Sequence, residues 1–145
     1  MKLLKIQEKV AEALRSCEAL AGISVVVEDE GDVTARLNAA IGKASRCLLV
    51  QTPGFKPTST ASKVMVGMAT VVVMAIQKIV TTASGTAQDA AEIAAWELNM
   101  LPVDGVGVMV VKELTSKLLD ERTISYAVRL EVQTTLGDPL DSGKE

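Results

Sequence analysis

The chain has 145 residues and a formal net charge of −3; 48% of it is hydrophobic, only 2% is aromatic, and there is no histidine. A single domain of this length buries roughly 68–70% of its unfolded surface, so neither a disulfide nor a metal is needed to hold it together. The missing histidine removes the commonest general base, zinc ligand and nucleophile partner, and basic residues spread thinly beside so few aromatics remove the footprint of a nucleic-acid-binding surface.

The opening MKLLKIQEKV lacks the apolar core and small-residue cleavage site of a signal peptide. Residues 3–21 are expected to form an amphipathic helix. Leu3, Ile6, Val10, Ala13, Leu14 and Cys17 recur at three- and four-residue steps, and Gly22 supplies the stop. Ile23–Glu28 is a short β-branched strand. The acidic residues Glu28, Asp29, Glu30 and Asp32 suit a turn feeding a helix N-terminus better than a hard-cation site. A second helix is expected over 33–43, with Val33, Leu37 and Ile41 on one stripe. Gly42-Lys43 looks like the end of a phosphate loop, but Leu37 and Ala44 stand where glycine and Ser or Thr are required. Residues 46–52 make the next strand. The two cysteines, Cys17 and Cys47, match no metal spacing and are expected to be buried free thiols in a reducing compartment.

Pro53 to Ala61, PGFKPTSTA, is the one long polar loop, constrained by Pro53 and Pro57. Phe55 within it either tucks back as a lid on the core or, with Lys56, anchors a partner. The run Lys63–Lys78 follows and dominates the sequence. It is β-branched in bulk and apolar on both parities, so it is expected to be a central strand rather than a membrane span. Its even positions are mostly large, and its odd positions are smaller but still apolar. The odd row, Ala69, Val71, Val73 and Ala75, is the expected surface for contact with another copy of the chain.

Residues 80–85 are a small-residue connector. Thr86 is an N-cap with Asp89 three residues on, and the helix it starts is expected to run to about Met100, where Pro102 follows. Ala87, Ala91, Ala94, Leu98 and Leu101 line its inner face. Trp96 lies off that stripe, to close the core rim or to face a neighbouring subunit. Strands follow at 106–111 and 122–134. The second alternates cleanly, with Ile124, Tyr126, Val128, Leu130 and Val132 on one side. The connection 112–121 has turn-like charge but no Gly or Pro. Residues 1–136 thus make one domain and 137–145 a flexible tail.

No G-x-S-x-G or G-x-G-x-x-G motif is present, and the numerous carboxylates fall on expected helix surfaces and turns where solvation is the default, so no enzyme, cofactor or metal is expected. The fold expected is α+β: a single mixed, mostly antiparallel sheet of about five strands with helices on one face.

The order of elements, with a strand running into Gln51-Thr52-Pro53-Gly54-Phe55-Lys56-Pro57 and a closing pair that ends in a well-alternated strand, resembles the tail-terminator and tail-completion proteins of long-tailed bacteriophages and prophages, including minor tail proteins at the head–tail joint. The resemblance covers about residues 1–135. It implies a structural, homo-oligomeric ring subunit, hexameric in that family, which stops growth of the tail tube and meets other tail or neck proteins. It implies a place in the virion tail, or in the bacterial cytoplasm during assembly, away from any membrane. A monomeric binding module or small enzyme with a pocket under residues 53–61 is the alternative reading.

Overall fold

The computed structural model describes residues 1–28, 32–44, 46–59, 62–78 and 86–138. The central part of the acidic turn, the 80–85 connector and all but the start of the expected tail lie outside them. The elements are α1 (Lys2–Arg15), a 3-10 turn (Glu18–Leu20), β1 (Ser24–Val27), α2 (Val33–Ala44), β2 (Arg46–Val50), β3 (Gly54–Ser59), β4 (Met65–Lys78), α3 (Ala87–Leu98), β5 (Pro102–Val103), β6 (Gly107–Asp120) and β7 (Thr123–Leu136). The α+β class holds, but among the described residues the sheet has seven strands, in the order β1-β2-β4-β7-β6-β5, with β3 also on β4.

The apolar run is the central strand. One edge of β4 pairs antiparallel with β7 from Met65↔Leu136 to Lys78↔Thr123. The other edge is shared: β2 takes its C-terminal half, through Val50↔Val73 to Arg46↔Gln77, and β3 its N-terminal half, through Gly54↔Thr70 to Ser59↔Val66. The segment expected as a loop is therefore largely strand. Its polar composition misleads because β4 extends past the end of β2, and a long strand leaves a row of backbone donors and acceptors that needs pairing. Pro57 is tolerated because β3 is an edge strand, and the register shifts just beyond it, between Pro57 and Ser59. Gly67 is required there, since a Cβ would run into the backbone of Lys56 and Pro57.

Alternation along each strand sorts residues onto two layers. On one side, Ile6, Val10 and Leu14 of α1 and the alanines of α3 join Val25, Val27, Leu48, Val50, Leu130 and Val132 in the main core. On the other side, Val33, Leu37, Ala40 and Ile41 of α2 pack on Val26, Cys47, Leu49 and Ile76. Helices thus cover both faces, a correction to the one-sided cover expected from the sequence. The apolar stripe of α2 is short, and it finds its match on the β1–β2 end of the opposite face. The two cysteines consequently belong to opposite faces of the sheet; both are free.

The start of α3 is built as its sequence indicates. Thr86 Oγ1 accepts from Asp89 N–H at 3.1 Å, and Thr86 N–H donates to the Asp89 carboxylate at 3.3 Å, a complete capping box. Gln77 Oε1 accepts from Ala87 N–H at 2.7 Å, which ties the start of the helix to the end of β4.

Candidate assembly surfaces

The expected contact row is not a surface. Ala69, Val71, Val73 and Ala75 are all essentially fully buried, in the main core with α1 and α3 of the same chain. The reason is size. α3 presents Ala87, Ala90, Ala91 and Ala94 to the sheet, and an alanine face lies close only over small partners, so the smaller row of β4 was drawn inward. Two apolar rows left the parity open, and the helix decided it. The larger even row faces the other way. α2 covers its Ile76 end, Met68, Thr70 and Val72 are half-buried, and Val64 and Val66 are exposed. Beside this row run Arg129 and Glu131 of β7, with Arg129 paired to Glu113 at 3.2 Å.

Phe55 is half-buried, pairs with Ala69, and packs on the main core, which is the lid position. Lys56, its neighbour, points to the other side and is exposed. The grooves described below lie elsewhere, and none of their lining residues comes from this segment.

Trp96 is 84% exposed and does not close the core rim. It flanks a shallow groove with Glu92, Ala95 and Asn99 of α3 and Val111 and Leu114 of β6. Past that groove β6 continues to Asp120 as an arm paired only with β7. Asn99 Oδ1 accepts from Val111 N–H at 3.0 Å, and Met100 N–H donates to Met109 C=O at 2.7 Å, so the outer edge of β6 is tied up to Val111. From Lys112 onward no described residue pairs with that edge. Leu114, at 41% exposure, and Leu118, at 62%, pair with Val128 and Ile124 and so share the helix side of the sheet, Leu114 at the rim of the α3 groove and Leu118 beyond it. The sequence reading missed this arm. Its only signal was the weak alternation of Leu114, Ser116 and Leu118 among charged residues.

The opposite edge of the sheet is β1. Val25 C=O, on its outer side, accepts from Arg15 Nη2 at 3.0 Å. Two grooves border this edge. Leu4, Gln7, Ala11 and Arg15 of α1 flank one with Val27, and Arg36, Ala39 and Ala40 of α2 flank the other with Ser24 and Val26. β1 thus lies at the bottom of a slot between two helices. Gln7 is 2% exposed, and its amide nitrogen has no hydrogen-bond partner.

Among the described residues no three His, Cys, Asp or Glu side chains gather as a metal site, and no helix is long and apolar enough to cross a membrane. Asp120, near the arm's tip, has its carboxyl held below the usual carboxylate range, chiefly by the Arg122 backbone N–H, which reaches it at 2.7 Å. The bond closes the two-residue turn Glu121-Arg122, a local role.

None of the known protein-family models matches the chain, and no curated protein does. Solved structures do. A chain from the virion of a native gene transfer agent particle superposes with a TM-score of 0.65 at 14% identity, over 90% of this chain and 95% of that one. A second solved chain, with no functional description of its own, gives 0.50 at 11% identity over 92% of each. At such identities the likeness is one of fold, and it runs nearly end to end in both.

Proposed function

We propose that the protein is a structural component of a phage-like particle, a tail-terminator-like subunit that assembles as a homo-oligomeric ring, hexameric as in that family, at the end of the tail tube near the head–tail joint. The observation that carries the reading is the end-to-end fold shared with a chain of a gene transfer agent virion. The exposed surfaces agree with it. Trp96, Leu114 and Leu118 are large apolar side chains left in water near one edge of the sheet, as an interface would require. A ring demands heterologous contacts, one patch against a different patch on the next copy, and the two ends of this sheet are unlike. Its partners are other copies of itself and the tail or neck proteins above and below. A net charge of −3 suits a ring through which DNA passes without being held.

The test is light scattering coupled to size exclusion over a range of concentrations, with electron microscopy of the heaviest species. Rings with a central opening are expected. A strictly monomeric protein at the highest concentration would overturn the reading.

A further inference from the structure

The sheet ends in two edges of opposite character. β1 is short and recessed between α1 and α2, whereas β6 from Lys112 to Asp120 is a long edge beside β7 whose outer side pairs with no described residue. We infer that these edges mate between copies: the β6 arm of one subunit adds as an antiparallel strand to β1 of the next, in the slot between its two helices. The inference rests on the ring reading and names its contact.

Strand direction permits it. β1 runs parallel to β2, and every step from β2 through β4 and β7 to β6 is antiparallel, so β6 runs opposite to β1. A copy related by rotation about an axis along the strands keeps that sense and keeps its helices on the same side. Its β1 then meets the arm antiparallel, and the operation repeats until the ring closes. Main-chain pairing of this kind gives affinity, and the alternate side chains give specificity.

Side-chain chemistry fits the same placement. Leu114, Ser116 and Leu118 stand on the helix side, opposite Val128, Tyr126 and Ile124. Once added to β1, that row faces the flank of α1 made by Leu4, Gln7 and Ala11. An apolar residue lies on either side of a polar one in both rows. The Gln7 amide nitrogen, buried and with no acceptor among the described residues of its own chain, meets in Ser116 a hydroxyl oxygen that can accept. Trp96, across the groove from Leu114, then lies over the junction between α3 of one copy and α1 of the next.

Two variants with exposed substitutions test this. One spoils the arm, Leu114→Asp with Leu118→Asp; the other spoils the slot, Leu4→Asp with Ala39→Arg. Both should keep the wild-type circular dichroism and the melting temperature that the wild type shows when diluted to monomer. Each alone should be monomeric where the wild type is oligomeric. Mixed in equal amounts they should form dimers and nothing larger, because the first retains a good slot and the second a good arm. If either variant still assembles like the wild type, or if two monomeric variants fail to pair on mixing, the arm-in-slot contact is wrong while the ring reading stands. If the wild type is itself monomeric, both fall.

Discussion

Met109 and Leu118 lie on the same strand and on the same side of the same sheet, paired to Val132 and Ile124 of one partner strand. Met109 is fully buried, whereas Leu118 is 62% exposed. The path of α3 makes the difference. It begins over β4, where Gln77 takes the Ala87 N–H, and reaches β6 only at its end, where Asn99 takes the Val111 N–H. Beyond Val111 the arm has strand hydrogen bonds on one edge and no roof. Pairing alone makes a strand, and a second layer makes it part of the core.

Substitutions should separate the two regions. Leu130→Ala, in the covered part, removes a fully buried side chain of the main core; a loss of about 2–5 kcal/mol is expected in urea unfolding. Gly67→Ala should cost about 1–3 kcal/mol by the same measurement, because its Cβ would push against the backbone of Lys56 and Pro57 and lift β3.

The covered part also carries a pH signature. Burial pushes the Cys47 thiol from an ordinary 9.0 to about 11. The folded state therefore holds that proton more tightly than the unfolded one. The resulting stability is fully present below pH 9 and is lost as the pH rises toward 11. Replacing Cys47 with Ala should flatten that part of the stability profile, and in the wild type Cys17, only half-buried, should react first with a thiol reagent. Next, Thr86→Ala removes the hydroxyl that caps α3 and should cost about 1 kcal/mol, read as a lowered melting temperature.

At the small end, Leu118→Ser on the bare arm, measured at a concentration where the protein is monomeric, should change folding stability by no more than about 0.5 kcal/mol. A large destabilisation there would mean that the arm is covered within one subunit, and the contrast with Met109 would collapse.

Much of the fold was legible from residue order. The alternation of Ile124 to Val132 predicts β7 and its buried side, and the fully buried Val128, Leu130 and Val132 agree. Thr86 and Asp89 mark the start of α3, and the stripe Ile6, Val10, Leu14 marks the inner face of α1. These signals are local, carried by a period or a cap within a few residues. Residues 54–59 gave a false signal, because Pro, Gly and Thr report turn chemistry and not the unpaired edge of a strand close by. Residues 112–120 gave almost none: their strand exists because β7 offers an edge to pair with. The row expected as a contact surface proved to be buried for a related reason. Both rows of β4 are apolar, so period alone could not say which one turns inward.

The amino-acid order by itself determined that residues 65–78 lie extended, that α1 and α3 each bury one stripe, and that no histidine-based chemistry is available. The tertiary structure decided which row of β4 the helices cover, where β3 lies, and how far the roof reaches along β6. Periodicity acts within a segment, whereas coverage depends on which two surfaces match in size. Here the alanines of α3 could approach only the smaller row, and that choice left Trp96, Leu114 and Leu118 in solvent.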